Sequence, residues 1–361
     1  MILFILYEFV TDKQKGASGG NISNYLLIEE LSKHKEVLVL APNVPVDLCA
    51  ELESKGISVI SDSHEFRPPF RNLKKRVWFS KAITTYILQN SRIMANLDII
   101  ITSNGTCDLT RNFPKKGVRN FIICRAFEDF FDHSSYYPLK EQIRRNIRRF
   151  TSAKKISTAY RSADMIITNS AFMQNFINKR YPNSNVKILY PPIDIPLKPF
   201  KYLTDHPRIG IINPSDRKGE KMFLSLANSN PNLNFVYFSQ YPKNYTTSNI
   251  SYGGWLSDRE ELFSKIDILI APSVWDEPFG RVSVEAVRSG LPVLVSNTGG
   301  LPETVDDYFI VKTPSLENWN CKLLELLASP REVKNAWERS ATKSASFEQT
   351  QHNIVAFEIF T

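Results

Sequence analysis

The residues with the clearest chemical potential lie in Trp275-Asp276-Glu277-Pro278-Phe279-Gly280-Arg281-Val282-Ser283-Val284-Glu285-Ala286. Two carboxylates, Glu277 and Glu285, stand eight residues apart, with a Pro-Phe-Gly turn between them that opens a helix expected over Arg281–Ser289 and ended by Gly290. A helix start leaves backbone N–H groups that the helix itself does not use, and its dipole adds partial positive charge there. Such a start can hold a phosphate. Carboxylates accept hydrogen bonds from hydroxyl groups. Two glutamates at this spacing are ordinarily a solvated helix face, but the surroundings here narrow the reading. Next comes the apolar strand pattern Leu291-Pro292-Val293-Leu294-Val295-Ser296, then a second glycine loop, Asn297-Thr298-Gly299-Gly300-Leu301-Pro302-Glu303. Gly-rich loops at the carboxyl ends of parallel strands suit a phosphate-bearing, polyhydroxylated ligand, which describes a nucleotide-sugar.

Glu-Pro-Phe-Gly-Arg at 277–281, the second Glu at 285, Ser-Gly-Leu-Pro-Val at 289–293 and Thr-Gly-Gly-Leu-Pro-Glu at 298–303 together resemble the carboxyl-terminal signature of glycosyltransferase family 4. The resemblance is strongest at 254–305, clear at 16–41, 163–170 and 190–194, and weakest at 60–160. It implies a GT-B architecture: α/β, two Rossmann-like doubly wound domains facing a central cleft. It also implies a retaining, metal-independent transferase with no cofactor, taking a UDP- or GDP-linked sugar as substrate.

Carried over residue by residue, the resemblance assigns three catalytic residues, Lys218, Glu277 and Arg125, and a set of donor-binding ones. Lys218, in Arg217-Lys218-Gly219, matches the lysine that binds the donor diphosphate, with Arg217 beside it. Glu277 matches the residue that holds donor sugar hydroxyls, and Glu285 the one that holds the ribose. Arg125, in Cys124-Arg125-Ala126-Phe127-Glu128-Asp129, stands where many members carry a His, with Glu128 or Asp129 near the acceptor; a structural salt bridge is the competing reading of Arg125. Further donor-binding positions are Gly19 and Gly20 in a glycine loop at 16–20, Phe279, Gly280 and Arg281 at the helix start, and Gly254 with Trp255. Trp255 stacks on the base in one reading and is a core tryptophan in the other. Members often carry a further phosphate-binding Arg where this chain has Ile212, and Arg217, Lys221 or Arg281 could take that work. A developing negative charge on the leaving diphosphate would be met by these cations and amide donors.

The elements that must position these residues read as a repeated strand–helix alternation, the pattern of a parallel sheet covered on both faces. Strands are expected at Met1–Tyr7, Glu36–Leu40, Leu97–Thr102, Asn120–Cys124 and Met165–Asn169, with a helix over Asn21–Ser32 and another from Ser170. Met1–Tyr7 lacks a basic leader and is too short for a signal peptide. After Pro191-Pro192-Ile193-Asp194, a proline-stiffened linker, strands recur at Ile209–Ile212, Phe235–Phe238 and Ile268–Ala271, with helices at Lys221–Ala227 and Asp258–Lys265. The expected domains are therefore 1–195, an acceptor- and membrane-facing domain, and 196–345, a nucleotide-sugar-binding domain. The family pattern adds a final helix, 346–361, crossing back onto the first domain, with Phe347, Ile354, Phe357 and Ile359 as candidate anchors.

Composition bounds the remaining possibilities. A chain of 361 residues suits two domains. Its four cysteines, at 49, 107, 124 and 321, form no Cys-x-x-Cys pair, and its five histidines no metal motif. That fits a reducing, cytoplasmic setting without a catalytic metal. Charge is uneven: residues 1–195 carry a net +10 and residues 196–361 a net −2. A basic amino-terminal half calls for an anionic partner. Basic and aromatic residues mix at Phe66–Phe79, and Arg144/Arg148 and Arg145/Arg149 form i,i+4 pairs on one expected helix. The expected partners are a glycan or lipid-linked acceptor and an anionic membrane surface, with peripheral placement on the inner face of the plasma membrane. No nucleic-acid motif is present, and the sequence leaves the oligomeric state open. The competing class is a catalytically silent GT-B-shaped protein that binds anionic polymers or membranes.

Overall fold

The computed structural model describes residues 1–6, 9, 19–41, 44–61, 89–112, 117–127, 129–130 and 139–357; along 139–151 and 348–357 it is the helical backbone that is described at most positions. The chain divides into two units, Met1–Asn169 with Met173–Leu189, and Ser170–Phe172 with Tyr190–Thr361.

Among the described residues the first unit has seven strands: β1 (Ile2–Ile5), β2 (Val37–Leu40), β3 (Ser58–Ile60), β4 (Ile99–Ser103), β5 (Arg119–Cys124), β6 (Met165–Thr168) and β7 (Val186–Ile188). They lie in the order β3-β2-β1-β4-β5-β6-β7, and every pairing is parallel. Continuous apolar runs, rather than alternation, build the central strands because both faces of a parallel sheet are covered. Ile2, Leu3, Phe4 and Ile5 are all fully buried. Burying each such side chain contributes about 1.5–3 kcal/mol, which fixes this segment as the middle of the sheet. The helices are α1 (Gly19–Ser32), α2 (Val46–Ser54), α3 (Ser91–Asn96) and α4 (Leu139–Ser162), and α5 (Ala171–Arg180) starts on residues that group with the second unit.

The second unit repeats the plan with six strands: β8 (Arg208–Ile212), β9 (Asn234–Phe238), β10 (Ile250–Tyr252), β11 (Ile268–Ala271), β12 (Val293–Ser296) and β13 (Ile310–Val311). All are parallel, in the order β10-β9-β8-β11-β12-β13. Its helices are α6 (Glu220–Ser229), α7 (Arg259–Ser264), α8 (Arg281–Arg288), α9 (Leu316–Ala328) and α10 (Pro330–Phe357). The chain leaves β8 in one direction for β9 and β10, then returns to β11 on its other flank. That reversal places the loops after β8 and β11 side by side at the topological switch point, where open α/β sheets bind ligands.

Three expectations are corrected here. The helix expected from Asn21 begins at Gly19, so Gly19 and Gly20 form its first turn rather than the end of a loop; residues 16–18 lie outside the described residues. The change of unit falls at 189/190, not 195/196, because Ile193 and Ile195 are buried in the second unit's core and Arg281 and Arg288 donate to the carbonyls of Pro192 and Ile195. The last helix runs unbroken from Pro330, with no start at Ser346. Phe347 packs within the second unit against Tyr190, 4.3 Å between ring centres, and Phe279, 5.6 Å. Among the described residues no helix is long and apolar enough to cross a membrane.

Candidate active site

The core of the site is an ion pair between two loops of the second unit. Lys218, on the loop after β8, places its Nζ 2.6 Å from each carboxylate oxygen of Glu277, on the loop after β11. Glu277 is largely buried, its side chain 14% exposed, and Lys218 is 33% exposed. Two further donors reach the same carboxylate: the Trp275 indole N–H at 2.9 Å and the Ser273 hydroxyl at 3.4 Å, both to Oε2. A charge-assisted pair of this length outweighs a neutral hydrogen bond, so Lys218 sets where Glu277 points.

The backbone brings these loops together. Val274 donates its N–H to the carbonyl of Arg217 at 3.0 Å. Gly219 has φ +77, and a Cβ there would stand 1.8 Å from the Pro272 carbonyl oxygen, so no other residue lets the β8 loop close onto the β11 loop. On the other side, Gly300 donates its N–H to the carbonyl of Glu277 at 2.6 Å. Gly299, at φ +59, passes so close that a Cβ would meet the Glu277 carbonyl oxygen at 2.2 Å. Thr298 adds a bond to Asp276 Oδ1 at 3.0 Å. Three loops, from the ends of β8, β11 and β12, thus converge on Glu277. The β8 loop also carries Asn213 in the left-handed region, φ 51, a conformation asparagine tolerates better than most residues.

Glu285 has a different set of partners. It lies inside α8, 5% exposed, with Arg281 Nε and Nη2 at 3.2 Å and Arg259 Nε at 3.8 Å. Arg281 also donates to the carbonyl of Pro192 at 2.5 Å, which ties the start of α8 to the segment entering the unit. The two acids expected to share one ligand are therefore each neutralised locally, Glu277 by Lys218 and Glu285 by two arginines. Phe279 and Gly280 are buried at the helix start. Gly254 accepts from Ser239 N at 3.2 Å, and Trp255 beside it is half-buried. Ile212, at the position where family members often carry a phosphate-binding Arg, pairs with Phe238 in the sheet. Of the proposed substitutes, Arg217 lies over the Trp275 ring at 4.9 Å, Lys221 is exposed, and Arg281 serves Glu285.

Glu303, at the end of the second glycine loop, went unassigned in the sequence. Its carboxylate accepts from the N–H groups of Ala171 at 2.8 Å and Phe172 at 2.7 Å, and from the Tyr190 hydroxyl at 3.3 Å. It caps α5. Burial pushes the Tyr190 phenol up to about 12, and the Glu303 charge beside it acts in the same direction.

In the first unit, Arg125 is 8% exposed and points back at the start of α1: its guanidinium donates to Asn24 Oδ1 and to the carbonyls of Gly20, 3.4 Å, and Ser23, 3.5 Å. These three contacts are to neutral amide and carbonyl groups, and they join two of the predicted site elements, the Gly19-Gly20 turn and the end of β5. Asp129 is buried and accepts from Gly105 N at 2.9 Å and the Tyr160 hydroxyl at 3.1 Å. Glu128 and the segment 66–79 lie outside the described residues. Arg144, Arg145, Arg148 and Arg149 all fall on α4, as expected, and their side chains lie outside the description.

Two sheets of this order, each with its loops at the carboxyl ends of parallel strands, define a GT-B protein. Comparison with known proteins agrees along nearly the whole chain. The family model for glycosyltransferase family 4 matches residues 17–196, and that for glycosyl transferases group 1 matches residues 242–344. The chain belongs to glycosyltransferase family 4. An uncharacterized 42.6 kDa protein in the cps region of Klebsiella pneumoniae is 34% identical over 104 residues, 27% of this chain and 28% of that protein. The curated relatives are thus matched over about a quarter of their own length. Among solved structures, sucrose-phosphate synthase from Thermosynechococcus elongatus aligns with a TM-score of 0.74 at 16% identity, over 98% of this chain and 97% of that one. Anabaena HepE in complex with UDP and glucose aligns with a TM-score of 0.68 at 16% identity, again over 98% and 97%. At such identities the likeness is one of fold.

Proposed function

We propose that this chain is a retaining, metal-independent glycosyltransferase that moves a sugar from a UDP- or GDP-linked donor to a glycan or lipid-linked glycan acceptor in cell-surface polysaccharide biosynthesis. The observation that carries the reading is the Lys218–Glu277 pair at the switch point of the second sheet. A lysine and a largely buried carboxylate held together by three converging loops are the two groups a sugar diphosphate would need. Lys218 would take charge developing on the diphosphate as the anomeric bond breaks. Glu277 would accept hydrogen bonds from the sugar hydroxyls, and Glu285 would hold the ribose. Arg217 stands beside Lys218 in sequence, and the first turn of α8 would add amide dipoles. The nucleotide-sugar reading is supported by HepE, whose structures hold UDP and glucose, and the polysaccharide reading by the cps-region relative.

The acceptor would be met by the basic first unit, with its arginines on α4, and this also favours peripheral placement on the cytoplasmic face of an anionic membrane. The test is incubation with a panel of UDP-, GDP- and ADP-sugars, reading nucleotide release with and without lipid-linked acceptor. Release with one UDP- or GDP-sugar, enhanced by acceptor and unaffected by chelator, is the expected result. No thermal shift and no release with any member of the panel would favour the silent polyanion-binding class instead.

A further inference from the structure

We propose that Trp275 is a positioning residue for the transfer step, holding the Glu277 carboxylate in place once the donor has drawn Lys218 away. The inference deepens the proposed function and rests on it. In the structure Glu277 has one strong partner, Lys218, at 2.6 Å to both oxygens. The same ammonium is the group assigned to the donor diphosphate. A lysine is a single point charge on a flexible stem, so as Lys218 turns to the phosphates it must give up at least part of its hold on Glu277. The carboxylate then keeps the donors that do not depend on Lys218: the indole N–H at 2.9 Å and the more distant Ser273 hydroxyl at 3.4 Å.

Trp275 is built to stay where it is. Its ring lies beneath the Arg217 guanidinium, 4.9 Å away, the residue next to Lys218. Its own carbonyl accepts from the Thr298 hydroxyl at 3.4 Å. The Trp275 ring is therefore covered by a residue of the β8 loop and its backbone tied by one of the β12 loop, while its N–H reaches across two residues of the β11 loop to Glu277. A rigid aromatic with one donor orients a carboxylate at little cost in conformational freedom, as a supporting residue must. The sugar hydroxyls would meet a carboxylate that is already aimed.

Two variants separate the N–H from the ring. Trp275→Phe keeps most of the aromatic surface and removes the donor. Trp275→His keeps a ring nitrogen, Nε2, at the position of the indole Nε1, and loses the second ring. Steady-state transfer should fall roughly 10- to 100-fold in kcat/KM for W275F, the scale of losing a hydrogen bond to a charged group, with W275H closer to wild type. Affinity for the bare nucleoside diphosphate, measured by calorimetry, should stay within about two-fold in both, because that ligand lacks the sugar that Glu277 holds. Wild-type kcat/KM in W275F, W275F as active as or more active than W275H, or loss of nucleoside diphosphate affinity in step with transfer would each overturn the positioning role. Failure of the wild-type chain to bind any nucleotide-sugar is a separate outcome and would remove the proposed function, and this role with it.

Discussion

Replacing Gly299 by alanine tests whether the backbone of the second glycine loop sets the position of Glu277. Gly299 has φ +59, and a Cβ would lie 2.2 Å from the carbonyl oxygen and 2.4 Å from the nitrogen of Glu277, and 2.8 Å from the carbonyl carbon of Asp276. All three are backbone atoms, so no side-chain rotation relieves the clash. Ordinary contact begins at 3.4 Å, which asks the Glu277 peptide to retreat by about 1.2 Å. The left-handed backbone costs an alanine about 1–2 kcal/mol, and forcing an extra carbon into a packed site adds about 1–3 kcal/mol. A displacement near 1 Å in a reacting group costs on the order of 100-fold in rate. G299A should therefore lower the denaturation midpoint and reduce kcat/KM about 100-fold. Gly56→Ala is the matched comparison: it shares the left-handed backbone, φ +75, but its Cβ would meet nothing within 4 Å. It should show the backbone cost with transfer unchanged. Equal transfer by G299A and wild type would refute the idea that this loop fixes Glu277.

Two more outcomes follow from the same geometry. K218A and E277A should each reduce transfer by at least about 100-fold, the scale seen when one electrostatic donor is removed from a reacting centre; wild-type rates in either variant would remove the assigned roles. Asp267, buried at the start of β11, binds Lys201 Nζ at 2.8 Å and Arg208 through both its backbone N–H at 2.9 Å and its Nε at 3.2 Å. Burial works against its charge, but the hydrogen bonds from Lys201 and Arg208 hold its carboxyl below the usual carboxylate range. A lowered folded-state value contributes stability that is full above the unfolded value, about 3.9, and is lost as pH falls through the folded one. D267N should thus cost about 1–3 kcal/mol at pH 7, with the gap to wild type closing below about pH 4 in urea midpoints taken across pH; a gap that stays constant to pH 3 would contradict this.

The central strands were legible because buried parallel strands carry continuous apolar runs: Ile2–Ile5, Ile99–Ser103 and Ile268–Ala271 all announce themselves. The edge strands were not. β3, β7 and β10 have three residues each, partly exposed and paired on one side only, so neither length nor hydrophobicity marks them. Gly19 and Gly20 read as loop because glycine is a poor helix former, yet tertiary bonds from Arg125 to Gly20 and Asn24 overrule that preference. The prolines at 191 and 192 pointed to a boundary a few residues too late, since burial of Ile193 and Ile195 lies outside any local signal. At the site, motif spacing supplied Lys218 and Glu277 separately. Their meeting across 59 residues is a product of the strand order. Trp275 stood in the quoted motif without a role, because only the folded loop shows that its N–H turns toward the acid two positions on.

The side chains assigned to the donor in the second unit, from Arg217 to Glu285, sit on the loops that follow strands of a single sheet and on the start of α8. Under the proposed function, sugar choice would be written into the second unit's stretch of the gene and acceptor choice into the first unit's. Recombination between relatives at the 189/190 junction, with residues 170–172 carried along to satisfy Glu303, would exchange one trait without redesigning the other, and a library of such hybrids would sort activated sugars by the parentage of their carboxyl-terminal portion.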